Sequence, residues 1–348
     1  MSSRECKPII IVGGGLAGLS LGIGLRQRGI SVKLFEAGKY PRHRVCGEFI
    51  SGLGQRSLDR LGLRDKLISA GARVAETAAF FSHKISSREK TLPEPALCLS
   101  RFALDNLLAQ EFARLGGDLH FGSRWTGNFD EGIIRATGRR AQIVVEGWRF
   151  FGLKVHARNV ALKADLEMHF VPDGYVGLCQ LSGGEVNICG LFRSRTTLSD
   201  LSSRWREWLK GPRGSVLQAH LSEAVFDEDS FCSVAGLSLE PQRAIAHDEC
   251  CIGDSLTMIP PVTGNGMSMA FESAELALEP LADYSAGKLS WREAQQKIAR
   301  RCDEVFHSRL AWARPLQTIL FSSALRRPVL FLALRFPSVW PAFFSLTR

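Results

Sequence analysis

The chain has 348 residues, 45 % of them hydrophobic and 23 % charged, which excludes a disordered or fibrous polypeptide and leaves room for a cofactor domain with an insertion. Its formal charge of +9 permits anionic partners, but the basic residues are not interleaved with a recognised module, so nucleic acid is not an expected partner. Nine cysteines, an odd number without a CxxC pair, argue against a disulfide framework or structural zinc and fit a cytoplasmic setting.

Residues 8–12 form a short β-branched apolar run, of the kind buried on both faces of a parallel sheet, that stops at Gly13-Gly14-Gly15. Residues 16–28 carry Leu, Ala and Gly at helical spacing and end at Gly29; residues 30–36 read as a second strand, completing a βαβ unit. That unit explains the apolar stretch 9–25 better than an export signal does. Residues 101–115 place Phe102, Leu104, Leu107, Leu108 and Phe112 on one helical face and close on Gly116-Gly117. Short strands are expected at 119–121 and 133–136. Alternation from 143 to 192, broken at Asp173-Gly174 and Gly183-Gly184, predicts an antiparallel sheet. Helices are predicted at 199–209, 216–221 and 266–278, the last stopped by Pro280, with a final strand at 250–252. From residue 310 onward the sequence reads as short helices interrupted by Pro315, Pro328, Pro337 and Pro341. Its apolar runs fall short of the ~20 residues that span a bilayer. Arg326, Arg327 and Arg335 at their edges leave two readings, a cap on the substrate domain or peripheral contact with the inner face of an anionic membrane.

Gly13-x-Gly15-x-x-Gly18 follows a strand, opens a helix and precedes Glu36 at the end of the next strand, about 20 residues on, where a ribose-binding acid belongs. Gly13 permits the tight turn, Gly15 the approach of a pyrophosphate, and Gly18 close packing of helix on sheet. The helix N-terminus offers free N–H groups and partial positive charge to the phosphates. This motif alone does not separate NAD from FAD. Further along, Gly253-Asp254 follows a strand, and Pro260 to Met267 leads into a helix, so a carboxylate and a second helix N-terminus stand where a long cofactor would end. His156, His169 and His247 have no metal-ligand spacing, and no metal is expected. Absence of Gly-x-Ser-x-Gly, HExxH and Walker patterns removes hydrolase and phosphoryl-transfer readings.

Over roughly residues 8–282 these features resemble the flavoprotein superfamily that includes para-hydroxybenzoate hydroxylase and the geranylgeranyl reductases. The likeness is strongest at the N-terminal turn, at Arg101-x-x-Leu-Asp105-x-x-Leu108 and at Gly253 to Met267. It implies FAD, with Asp254 on the ribityl hydroxyls, Arg101 on the cofactor, and Gly264, Asn265, Gly266 and Met267 opening a helix toward the flavin. Arg42-His43-Arg44-Val45-Cys46-Gly47-Glu48 is similar to the flavin-lining Arg-x-Cys-Gly-Glu segment of the reductases, with Arg42 or Arg44 on phosphate. Cys46 either faces substrate or is a small buried thiol, and nothing near it lowers its pKa. Tyr175 lies where the reductases have their substrate-cavity strand, although Gly177 and Cys179-Gln180 replace the usual Trp and Phe-Pro. Thr137-Gly138 replaces the Asp-Gly of a nicotinamide loop, which leaves NAD(P)H as one possible donor.

The resulting expectation is an α/β chain. A Rossmann-type FAD-binding domain (1–75, 97–142, 244–283) receives an inserted antiparallel substrate domain (143–243), and a helical region (284–348) follows. Expected function is FAD-dependent oxidoreduction of a hydrophobic small molecule by C=C reduction. The alternatives are a monooxygenase acting on an aromatic or polyketide-like substrate and a membrane-peripheral FAD-binding protein without turnover.

Overall fold

Strand β1 (Ile9–Val12), helix α1 (Leu16–Gln27) and strand β2 (Val32–Glu36) make the expected βαβ unit. The structure is a computed structural model that describes residues 6–139, 147–195, 203–238, 240, 242–322, 325, 326 and 328. Next come β3 (Phe49–Ile50), α2 (Leu53–Arg60), α3 (Arg64–Ser69), β4 (Arg73–Ser82), β5 (Ile85–Ser86) and β6 (Lys90–Cys98). They lead to α4 (Arg101–Arg114), β7 (Asp118–Phe121) and β8 (Ile133–Arg135). The second half holds β9 (Arg149–Arg158), β10 (Leu166–Val171), β11 (Gly174–Gln180), β12 (Val186–Ser194), α5 (Trp205–Lys210), α6 (Val216–His220) and β13 (Val225–Ala235). Two long helices follow, α7 (Gly266–Ser285) and α8 (Trp291–Phe321).

Two sheets result. The first is parallel, in the order β7-β2-β1-β8. Contrary to the expectation of burial on both faces, Ile9, Ile11, Val32, Leu34 and Ile134 are buried, whereas Ile10 and Ile133 are half-buried and Lys33 is exposed; α1 packs on β1 and β2, and α4 and α7 pack against α1. The fit around α1 is close: a Cβ on Gly22 would lie 2.8 Å from the Phe112 ring, and one on Gly24 would lie 2.6 Å from Leu278. The second sheet runs β13-β9-β12-β11-β10-β4-β6-β3, antiparallel except where β10 pairs with β4. One of its faces is sealed by Trp205, Leu209 and Leu217 of α5 and α6.

The structure revises several expectations. The large sheet takes β3, β4 and β6 from before residue 100, so it is not built from the later segment alone. Residues 143–145 and 199–202, on which part of the prediction fell, lie outside the described residues. Residues 250–252 contribute one parallel bridge, Arg135 to Cys251, rather than a strand. Neither proline ends its helix: α7 continues through Pro280 and α8 through Pro315. Tertiary packing outweighs the lost hydrogen bond in both. The end of α8 buries Leu316, Leu320 and Phe321 against Phe150, Phe170 and Tyr175, so this part of the tail caps the large sheet. Most of the remaining tail lies outside the described residues. No helix among the described residues is long and apolar enough to cross a membrane.

A buried ion pair joins the two long helices: the two terminal guanidinium nitrogens of Arg309 donate to Glu272, at 2.9 and 2.7 Å. Glu272→Ala should therefore cost about 3–5 kcal/mol by leaving a buried cation unpaired, whereas Glu272→Leu with Arg309→Met should cost much less. Urea unfolding of both variants checks this; equal losses would show that packing, not charge pairing, dominates.

Candidate functional site

Strands β1, β2 and β8 end at one edge of the parallel sheet, and the turns leaving them form one wall of a cavity of about 1160 Å³. The facing wall comes from the large sheet, where Gly152, Met168, Phe170, Tyr175, Gly177 and Leu191 share a face. Gly253, Asp254, Gly264, Gly266 and Met267 close it from a third side.

Each motif glycine has a distinct role. Gly13 sits at φ 114°, and an added Cβ would lie 2.2 Å from the Ala136 carbonyl oxygen, so only glycine makes this turn beside β8. On Gly15 an added Cβ meets no protein atom within 4 Å; it would project into space beside the cavity, where a phosphate could approach the backbone. Gly18 does not line the cavity, and its added Cβ would lie 1.9 Å from the Gly13 oxygen, so it serves helix packing. Glu36 accepts from Gly14 N at 2.8 Å and Gly38 N at 2.7 Å and pairs with Arg42 at 2.7 Å. Its carboxylate is thus held rigidly at the rim where a ribose would lie.

The second turn is fastened to the first. Arg135 N donates to Cys250 O (2.8 Å), Ile252 N to Arg135 O (3.0 Å), and Ser255 Oγ to Gly138 O (2.9 Å). This fixes Asp254 opposite Arg139 at the cavity. Asp254 keeps an exposed surface where it lines the cavity. Burial raises its pKa, against the opposing fields of Arg139 and Arg101. At the start of α7 the Gly266, Met267 and Ser268 N–H groups precede the first intrahelical acceptor, giving an anion-attracting terminus beside the cavity. Gly264, Gly266 and Met267 line the cavity, whereas Asn265 is buried and is not among the lining residues.

Arg101 lines the cavity while its guanidinium grips Asp105 at 2.7 and 2.8 Å. Arg44 pairs with Asp105 at 3.1 Å and lies 3.7 Å from Glu36. Both arginines therefore reach the cavity already oriented by carboxylates. Cys46 also lines it, and burial pushes its thiol pKa up despite nearby Arg101, which argues against a thiolate nucleophile. Tyr175 is buried with no hydrogen-bond partner for its hydroxyl, and burial keeps the phenol neutral. Ligand-sized open space beside Gly15, the unengaged face of Asp254 and this orphaned hydroxyl together fit a dinucleotide with a second molecule beside it.

Folding also joins Glu48 and His43 of the segment 42–48 to residues that sequence reasoning missed. Glu48, which lines the cavity, and Lys154 are fully buried; Glu48 accepts at 2.6 Å from His156, which lies 3.3 Å from Glu185. Lys154 Nζ is 3.0 Å from His43 Nδ1, and His43 lines the cavity. A lysine and a histidine two residues apart within the apolar run of β9 were the available signal. Elsewhere, Glu167 is 2.8 Å from His169 and 2.9 Å from His220, all buried. Sequence spacing gave no hint of this cluster, because α6 supplies one member and β10 the others. The Glu167 pKa falls to about 2: burial opposes ionisation, and the two imidazole hydrogen bonds outweigh it.

A family model described as FAD binding domain matches residues 6–142. Monooxygenase 1 of Arabidopsis thaliana is 30 % identical over 117 residues, 33 % of this chain and 29 % of its own length. The flavin-dependent brominase Bmp2 superposes with a TM-score of 0.74 at 16 % identity, over 97 % of this chain and 92 % of its own. PqsL of Pseudomonas aeruginosa, described as a probable FAD-dependent monooxygenase, does so at 0.68 and 16 % identity, over 90 % and 96 %. The curated relatives are spanned only in part, to 29 % and 54 % of their lengths. Residues 6–142 thus match an FAD-binding domain, and the chain shares its fold with the brominase Bmp2 and with PqsL.

Two outcomes separate ligand contact from packing. Gly15→Val should leave ligand-free stability unchanged yet weaken FAD binding roughly 100-fold, about 2.7 kcal/mol; Gly18→Val should lower stability itself. Thermal unfolding and flavin fluorescence titration measure the two effects. For Asp254, the folded pKa lies above the unfolded one, so the ligand-free protein loses stability as pH rises from about 4 upward. Asp254→Asn should flatten that loss and weaken FAD binding; an unchanged pH profile would mean that Asp254 is not desolvated in solution.

Proposed function

We propose that this chain, with its FAD-binding domain and hydroxylase-like fold, is an FAD-dependent monooxygenase that acts on an apolar, aromatic-type small molecule. One observation carries the reading: a single cavity joins a polar dinucleotide cradle to an apolar chamber formed by Phe80, Met168, Phe170, Leu191, Leu237 and Leu316. At about 1160 Å³ it exceeds ordinary ligand pockets of roughly 300–1,000 Å³, as a space shared by cofactor and substrate must. When bound, reduced FAD supplies the electrons that activate dioxygen for insertion of one oxygen atom.

The chain's own residues have separable tasks. Gly15 and the N-terminus of α1 receive the pyrophosphate, Glu36 the adenosine ribose and Asp254 the ribityl chain. The N-terminus of α7 holds negative charge on the flavin ring. Leu316 and Leu320 keep water from the apolar chamber, and Tyr175 offers one hydrogen bond to a polar group on the substrate. NAD(P)H is the proposed electron donor.

Carbon–carbon double-bond reduction, the first expectation from sequence, has less support. The reductase pattern breaks at Gly177 and Cys179, and the relatives described above are a monooxygenase, a brominase and a probable monooxygenase. The decisive experiment bleaches the bound flavin with NADH or NADPH and then admits dioxygen in the presence of aromatic or prenyl probes. Dioxygen uptake coupled to an oxygenated product is expected. Anaerobic saturation of a prenyl double bond would overturn the proposal.

A further inference from the structure

Insertion of one oxygen atom, with the other leaving as water, takes up a proton from solvent each turnover. Glu48 is buried and lines the cavity at φ 61°, a left-handed conformation that is unusual for glutamate. Its backbone is held there by Leu99 N, which donates to Glu48 O at 3.1 Å, while Arg101 N donates to its carboxylate at 2.9 Å. Holding a buried carboxylate in this conformation is costly, and a hydrogen-bonded neighbour on one side and an ion-paired one on the other extend a line through it. On one side His156 Nε2 lies 2.6 Å from Glu48 Oε2, and His156 Nδ1 lies 3.3 Å from Glu185, whose side chain is 28 % exposed. On the other, Lys154 Nζ lies 3.6 Å from Glu48 Oε1 and 3.0 Å from His43 Nδ1. His43 lines the cavity.

We infer that Glu185, His156, Glu48, Lys154 and His43 form a proton relay from solvent to the FAD cavity, with His43 as the donor into it. The inference rests on the monooxygenase reading. A proton from water enters at Glu185 and passes to His156 Nδ1, while the Nε2 proton of His156 moves to Glu48. Glu48 restores to Lys154 the proton that Lys154 gives to His43 Nδ1, and His43 releases its Nε2 proton into the cavity. One proton enters and one leaves, so the network's charge is unchanged; rotation of the two imidazole rings resets it.

The electrostatics agree with this direction. Burial, then Lys154 and His156, lower the His43 pKa against Glu48 and Asp227, leaving a neutral ring able to accept. Burial also works against protonation of His156, but hydrogen bonds to Glu185 and Glu48 prevail and raise its pKa. The other groups that bear on the network are Arg101 of α4, Arg158 of β9, Cys179 of β11, Cys189 of β12, Asp227 and Cys232 of β13, and Cys46.

Two measurements test the relay. In the ligand-free chain, NMR titration should find His43 below the ordinary histidine range in the wild type and moved upward in Lys154→Met. An unmoved His43 overturns the inference whatever the cofactor does. In the FAD-loaded protein, reduced chemically and mixed with dioxygen, an indicator dye follows proton uptake. Glu185→Gln, at a partly exposed site, should slow uptake about 100-fold with unchanged FAD affinity; His156→Gln should be rescued by added imidazole. Wild-type uptake rates in both variants would overturn the relay, whereas failure to bind FAD would instead overturn the monooxygenase reading.

Discussion

A three-residue strand holds the cofactor cradle together. β8 pairs with β1 through Ile10, Ile11 and Val12, and Ala136 N donates to Val12 O just beyond it. Its other edge, at Arg135, exchanges two backbone hydrogen bonds with residues 250 and 252, reinforced by the Arg135–Glu249 ion pair. Turns far apart in the chain therefore face the same space. Without β8, Gly15 and Asp254 would belong to unrelated loops, and neither turn alone can enclose a dinucleotide.

Around that frame, charge is arranged before any ligand arrives. Arg42, Arg44 and Arg101 are each held by a carboxylate, so orienting them costs little entropy when an anionic cofactor binds. Asp254 is the exception: its open face looks into the cavity, and burial opposes its ionisation. The lining therefore concentrates unmet polar capacity where a polar chain of hydroxyls would lie and keeps the opposite end apolar. This division follows from the two sheets, because turns supply one wall and a strand face the other.

The large sheet shows why tertiary context was needed. β4 is rich in alanine, β6 contains Pro93 and Pro95, and β13 carries Asp227-Glu228-Asp229 after its first two residues, all weak or contrary strand signals. They become strands because neighbours complete their hydrogen bonds, with register shifts in β4–β6 and β13–β9 absorbing the misfits. The long helices tell a similar story at Pro280 and Pro315, where core packing and the Arg309–Glu272 pair hold segments that local rules would end.

From sequence alone came the βαβ unit, the backbone reasons for Gly13 and Gly18, and the expectation that Gly15 and Asp254, which line one cavity, serve the same ligand. These depend on short-range backbone requirements that a few residues express. The course of the large sheet and the line from Glu185 to His43 emerged only in three dimensions, as did the choice of the cap between the two readings of the tail's first part. Each joins residues from distant segments, and a buried charge becomes meaningful only when folding excludes water and supplies its partner.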